Sequence, residues 1–509
     1  MLAADELPND PVELKEIIVS IQTQYEQENT QLREYIRLLK QKMFGKKSEA
    51  ISSEQLGLFN EAEELSEKAA EETEVTSYKR GKPKRNPIPD HLPREEVIIE
   101  LPEAQRRCEE GHPLSEIGAE SSEQIDIVPA QIKVIRTIRK KYACKTCEGE
   151  VKIAPVPPTA IPKSLAAPGL LALIVTNKYV DGLPLYRQEK ILERSQIRIP
   201  RTTMASWMIK ISELCQPVMN LMEEDLLASD YLQCDETRVQ VLKEPGKRAE
   251  SLSQMWVRSR EGPEKIILFD YAPSRSGEVA EKLLAGFSGY LQVDGYGGYR
   301  KVSQREDIVR VGCWSHTRRK FYEAYQASKK GQGKAEQVLL LIKALYKIEE
   351  EAKDWSDEKR YQLRQEMSLP MLEKIRNFIT DHRESVPSQC LLGKALNYAH
   401  NQWETLVVYV TDGRLKIDNN GVENKLRPFA LGRKNWLFSD SVGGAKASAT
   451  LYSLVETAKA NGHNPYDYLR DLLTELPKAK TVEQIEKLLP YNLNPKQIAS
   501  DWGQQVSIG

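Results

Sequence analysis

Two short apolar, β-branched runs, YLQCDETRVQVL and GYLQVDGYGGY, carry one aspartate each, Asp235 and Asp294, and a later stretch of helical spacing, KIDNNGVENKLRPFALGRKNW, carries Glu423. Runs of this kind read as central strands, where an uncompensated charge is costly, so a carboxylate inside one needs a reason to be there. The separations, 59 residues and then 129, exceed any local loop. Only a tertiary fold brings such groups together. Taken singly, each acid has a plainer explanation: Asp235 as a solvated strand-end pair with Glu236, Asp294-Gly295 as a hairpin turn, and Glu423 as the helix-surface partner of Arg427.

From Tyr231 the pattern runs YLQCDETRVQVL, QMWVRS, KIILFDYA, a helix around GEVAEKLLAGF, then YLQVDGY and DIVRVGCW. Three strands, a helix and two more strands is the order of a ribonuclease-H-like core, with Asp235 on its first strand and Asp294 at the end of its fourth, neighbours in the sheet. Helical patterning then continues to about residue 405, which predicts a helical insertion over about 325–405 before the helix of Glu423. Two strand acids and one helix acid suit hard divalent cations such as Mg²⁺ or Mn²⁺. Two such ions roughly 3.5–4 Å apart can activate a nucleophile and stabilise a leaving oxygen in phosphodiester chemistry. The glycine-rich GYGGY after Asp294 suggests a close backbone approach to a ligand.

The rest of the 509-residue chain reads as modular α/β. Residues 10–48 form one helix with Ile18, Tyr25, Leu32 and Leu39 at seven-residue intervals and Leu14, Ile21 and Tyr35 on the companion register, a short coiled-coil seam or else a helix packed on its own protein. Residues 49–95 read as a linker, first acidic, then basic at Arg80, Lys82, Lys84 and Arg85, a strip that resembles the core of an AT-hook. Within 96–155, Cys108 and His112 precede a strand-rich stretch that leads to Cys144 and Cys147, a donor set for a closed tetrahedral zinc site, with Arg139 and Lys140 beside it for phosphate contacts. Residues 156–230 are helical, either a helix-turn-helix or a plain connector; 231–440 hold the catalytic core and 441–509 a helical carboxyl-terminal region. His316, Arg318 and Arg319 follow the last strand, and Arg427, Arg433 and Lys434 flank Glu423; both groups are candidates for phosphate contacts.

Net charge of -1 excludes a uniformly basic nucleic-acid binder, so any DNA surface is local. Seven scattered cysteines do not make a secreted disulfide framework, and the longest apolar run is too short to span a bilayer, so a reducing cytoplasm is expected and no membrane role.

The motifs CDET, QVDGYGGY, CWSHTRRKF, DNNGVEN through GRKNW, and SLVETAKANGHNPYDYL resemble those of the insertion sequence 66 family of DDE transposases. QKMFGKKSE, QLGLFNEAE and the cysteine module are similar to the same family. The resemblance implies that Asp235, Asp294 and Glu423 are the catalytic acids, holding two Mg²⁺ or Mn²⁺ ions. It implies a structural zinc and a DNA-binding front end. The implied activity is hydrolysis at transposon ends followed by joining of the 3′-hydroxyl to target DNA, in the bacterial cytoplasm. Implied partners are transposon-end and target DNA, a second copy of the chain through the coiled coil, and small accessory proteins. Two rival readings remain at this level: a non-enzymatic or inactive transposase-derived DNA-binding protein, and a metal-independent tyrosine recombinase using HTRRK.

Overall fold

The protein is described here from a computed structural model covering residues 10–44, 132–143, 151–327 and 333–495. It divides into two compact units, one of residues 1–65 with 156–509 and one of residues 66–155. In the smaller unit the described residues form a short antiparallel hairpin, β1 (Lys141–Ala143) with β2 (Val151–Ile153). The strand expected through IKVIRTIRK forms no ladder among the described residues, and Ile132, Val134, Ile135 and Ile138 are exposed. Cys108, His112, Cys144 and Cys147, and likewise Arg80, Lys82, Lys84 and Arg85, lie outside the described residues.

The larger unit is built on a mixed sheet ordered β5-β4-β3-β6-β7, with β3 Tyr231–Lys243, β4 Leu252–Arg260, β5 Ile266–Ala272, β6 Gly289–Gln292 and β7 Ile308–Val311. The first three are antiparallel, whereas β6 runs parallel to β3 and β7 parallel to β6. A short β8 (Ser439–Ser441) joins the far end of β3. Central β4 is buried from Ser253 to Ser259, so it reads as a continuous run and not as an alternation. Its Arg258 is compensated by Asp270 Oδ2 at 3.0 Å, Glu223 Oε1 at 2.7 Å and the Leu283 carbonyl at 2.6 Å.

The outer edge of β5 is closed by a helix, Val442–Ala460, not by a strand. Phe269 N donates to Ser453 Oγ at 2.7 Å, and Ile267 exchanges both its backbone groups with Thr457 Oγ1 at 3.0 Å. Asn461 does the same at Lys265, accepting at 3.2 Å and donating at 2.7 Å. Side chains spaced one helical turn apart therefore satisfy a buried strand edge. This is the physical content of SLVETAKANG.

Between β7 and the Glu423 helix lies a helical layer with its own core, where Trp314, Phe321, Ile342, Ile375, Leu396 and Tyr409 meet Tyr231 and Val311 of the sheet. A single π-turn, Arg364–Ser368, sets a fully buried arginine inside it. Arg364 pairs bidentately with Glu349 at 2.6 and 2.9 Å and donates to the carbonyls of Tyr409, Asp412 and Leu415 at 2.7–2.8 Å. One charge thereby pins the segment that leads into the Glu423 helix.

The amino-terminal helix spans Pro11–Phe44. Ile18, Tyr25, Leu32 and Leu39 are 52%, 67%, 61% and 56% exposed, so these four heptad positions face away from their own chain. Its last turns nevertheless dock: Leu38 is buried, Arg37 donates to Ala327 O at 3.2 Å, and Lys394 donates to the Tyr35 hydroxyl at 2.8 Å. The helix end is thus packed on its own protein, while the heptad positions from Ile18 to Leu32 stay exposed.

Among the described residues no helix is long and apolar enough to cross a membrane.

Candidate active site

The parallel ladder of β3 with β6 pairs Tyr231 with Tyr290, Leu232 with Leu291 and Gln233 with Gln292. Asp235 and Asp294 each lie two residues beyond the last pair of this ladder, and Asp294 is near enough for its charge to act on the Asp235 carboxyl. The 59-residue spacing is thus the offset of the ladder itself. Glu423 lies in the first turn of the helix Asn420–Trp436. All three acids are half-buried.

Sequence reasoning missed what lies beneath the acids. Gln233 Nε2 donates to Gln292 Oε1 at 2.7 Å, and the Tyr231 hydroxyl donates to the same oxygen at 2.5 Å. Gln292 Nε2 reaches Lys416 O at 2.7 Å, and Gln233 Nε2 reaches Asp418 O at 3.4 Å. This buried polar staple fastens both Asp-bearing strands to the segment preceding Glu423. Asp418 extends it, accepting from the Tyr346 hydroxyl at 2.7 Å and from Asn420 at 2.9 and 3.1 Å. A Cβ on Gly421 would sit 2.5 Å from Gln233 Oε1, so the glycine of DNNG lets the helix approach the strand. Only the alternation of buried glutamines with Asp on each strand signals the staple in advance.

Two of the glycines after Asp294, Gly295 and Gly298, have an internal explanation, whereas Gly297 borders open space. A Cβ on Gly295 would meet the Tyr398 hydroxyl at 2.5 Å, and one on Gly298 the Tyr296 ring at 2.2 Å. Asp294 Oδ1 accepts from Tyr296 N at 2.9 Å, and Arg310 donates to the Asp294 carbonyl, which fixes the turn. On the other face of β3, Glu236 is tied to Arg275 and accepts from the Tyr299 hydroxyl at 2.6 Å, so it is not a solvated companion of Asp235.

Burial raises the Asp235 carboxyl well above the usual carboxylate range, and Glu236, Glu423 and Asp294 push it further. Burial likewise lifts Glu423 to about 7; Arg319 counters part of this, while Asp418 and Asp294 add to it. Among the described residues Glu423 Oε1 is buried without a hydrogen-bond partner. Asp235 and Glu423 raised by neighbouring acids, together with a buried Glu423 oxygen that lacks a hydrogen-bond partner, fit a hard dication bound by oxygen ligands.

His316 lies beside this group, its Nδ1 3.6 Å from Glu423 Oε1 and 3.3 Å from Cys313 Sγ. Burial lowers it to about 4, with Asp294 opposing and Arg319 and Lys320 assisting, so the ring is neutral at pH 7. Of the other basic candidates, Arg319 and Arg427 are half-buried and Lys434 is exposed, whereas Arg318 is buried with its guanidinium 5.9 Å from the Tyr322 ring centre. Arg433 donates to the Arg238 carbonyl on β3, and Lys425 pairs with Glu261. In the smaller unit Arg139 and Lys140 are exposed, with Arg139 donating to Ala154 O at 2.6 Å.

The sequence profile described as "Transposase IS66 family" matches residues 163–447, more than half of the chain, which defines its class as a transposase, an enzyme that rearranges DNA. Three further profiles match in order: "Transposase C of IS166 homeodomain" over 31–97, "zinc-finger binding domain of transposase IS66" over 105–148, and "IS66 C-terminal element" over 453–491. The chain belongs to the IS66 family of transposases. The zinc-finger match spans Cys108, His112, Cys144 and Cys147 and supports a structural zinc. Similar proteins occur in Sinorhizobium fredii (strain NBRC 101917 / NGR234): uncharacterized protein y4qI is 33% identical over 92% of this chain and 89% of its own, and uncharacterized protein y4jD is 34% identical over 81% and 82%. No solved structure matches the chain.

Proposed function

We propose that this protein is a DDE transposase that cleaves transposon-end DNA and joins the freed 3′-hydroxyl to target DNA, with Asp235, Asp294 and Glu423 as its catalytic acids. What supports this reading is that Asp294 and Glu423 both lie close enough to act on the Asp235 carboxyl, just past the end of the β3–β6 ladder, and that the buried Glu423 Oε1 has no hydrogen-bond partner among the described residues. The order β5-β4-β3-β6-β7, with β6 and β7 parallel to β3, supports a ribonuclease-H-like core. Bound Mg²⁺ or Mn²⁺, as a pair, would supply activation of the attacking oxygen and stabilisation of the leaving oxygen.

The protein's own residues do the rest. Asp235 and Asp294, at the β3–β6 end of the sheet, and Glu423, on its helix, would hold these ions through their carboxylate oxygens. The Gln233–Gln292–Tyr231 staple keeps the strand acids and the helix at fixed separation. Arg319, Lys320 and Lys434 offer positive charge to the phosphates on either side of the reacting bond, and Cys144 with Cys147 would anchor the zinc module at the DNA. The exposed heptad seam would pair two copies, and a DNA substrate places the enzyme at the bacterial nucleoid.

The test is cleavage of transposon-end DNA by the full-length protein in Mg²⁺. Asp235→Asn, Asp294→Asn and Glu423→Gln should each lower the rate by at least about 10³-fold while leaving end binding largely intact. Cleavage that survives both chelation and Asp294→Asn would sink the reading in favour of metal-independent recombination.

A further inference from the structure

Cys313 leaves the end of β7 and His316 lies in the first turn of the helix Trp314–Ala327, so a three-residue spacing sets both on one side of that turn. Glu423 faces them from the first turn of its own helix. The donor atoms of all three lie within 4.8 Å of one another, with Nδ1 to Sγ at 3.3 Å and Nδ1 to Oε1 at 3.6 Å. Tetrahedral zinc, with bonds of about 2.0–2.3 Å, holds such donors about 3.3–3.6 Å apart. Two of the three separations already match, and the third, from Cys313 Sγ to the Glu423 carboxylate, is within 4.8 Å.

We infer that Cys313, His316 and Glu423 form a second metal site, selective for a zinc-class ion, whose occupancy competes with the hard catalytic ions for Glu423. Selectivity follows from the donors. Asp235 and Asp294 offer oxygen alone, whereas a sulfur, an imidazole nitrogen and one carboxylate oxygen favour a borderline-soft ion, with water as a fourth ligand. The orphaned Glu423 Oε1 is the atom that faces His316. Cys313 is buried and uncharged without metal, so binding turns its thiol into a thiolate and passes one proton to solvent. Thiolate and carboxylate then cancel the charge of the dication. Asp294 on the adjoining strand favours the cation, and Arg319 and Lys320 on the next turn of the His316 helix oppose it. An ion seated there draws Glu423 away from Asp235 and Asp294. The inhibitory consequence rests on the DDE reading; the binding site does not.

Cobalt(II), titrated into the full-length protein and followed by absorption, separates the two. Any zinc-module and oxygen-only sites are common to wild type and variants, so the difference isolates this one. Wild type should bind one further cobalt with added thiolate-to-cobalt absorption, and Cys313→Ser and His316→Ala should each lose it or weaken it at least about tenfold. Circular dichroism checks the buried Cys313 variant, and the half-exposed His316 variant gives the same answer should Cys313→Ser fail to fold. Equal stoichiometry and equal spectra in wild type and His316→Ala overturn the site. In Mg²⁺-supported cleavage, half-inhibition of Cys313→Ser should need at least about tenfold more zinc than wild type; equal zinc sensitivity overturns the competition. A cobalt difference in a protein that cleaves nothing would uphold the site and sink the DDE reading instead.

Discussion

Glu423 binds its proton more tightly in the folded protein than in the unfolded chain: burial, with Asp418 and Asp294, carries it from 4.5 to about 7. A raised folded value stabilises the fold at pH below about 4.5, and that contribution is lost as pH climbs through 7. Asp235 is shifted in the same direction. Metal-free protein should therefore lose stability between pH 5 and pH 8. Glu423→Gln, which cannot ionise, should recover up to about 3 kcal/mol at pH 8 and almost nothing at pH 5, measured by urea denaturation in chelator. Identical pH profiles for the two proteins would show that the carboxylate pays no such cost. Mg²⁺ should reverse the loss in wild type, because an ion that binds only the folded state stabilises it by mass action.

At the scale of elements, five of the sheet's six strands were legible because apolar runs of strand length alternate with turn residues, and the two aspartates stood out as charges at or beside such runs; the short β8, Ser439–Ser441, has no apolar residue to signal it. The staple and the edge-closing helix were not legible either. Gln233 finds Gln292 59 residues on and Asp418 185 residues on, and Thr457 finds Ile267 190 residues back. Periodicity reports which face of an element is apolar; it is silent about which buried polar group meets which. Cys313 was invisible for the same reason, since a cysteine in CWSH looks like one more reduced thiol until Glu423 is folded against it. Thr457→Val and Ser453→Ala each strip a buried backbone group of its partner and should cost about 1–3 kcal/mol, lowering the urea midpoint without changing its slope. Unchanged midpoints would mean that the β5 edge is satisfied otherwise.

For the whole molecule, the heptad reading and the docked helix end combine into one expectation. The helix is held to the insertion by Arg37, Leu38 and Tyr35, which leaves Ile18, Tyr25 and Leu32 facing outward for a second chain. Leu32→Pro should shift sedimentation toward the monomer while cobalt binding and the catalytic fold persist; an unaltered mass would assign the seam to packing within one chain. The helical lid on β5 carries a consequence in time. Its partners lie 184 and 190 residues apart, and at a ribosomal pace of about 5–20 residues per second the strand emerges about 10–40 s before the serine and threonine that close it. Every newborn copy therefore passes through an interval with a naked strand edge. Synthesis rate and chaperone supply should therefore bear on how many copies reach the finished fold.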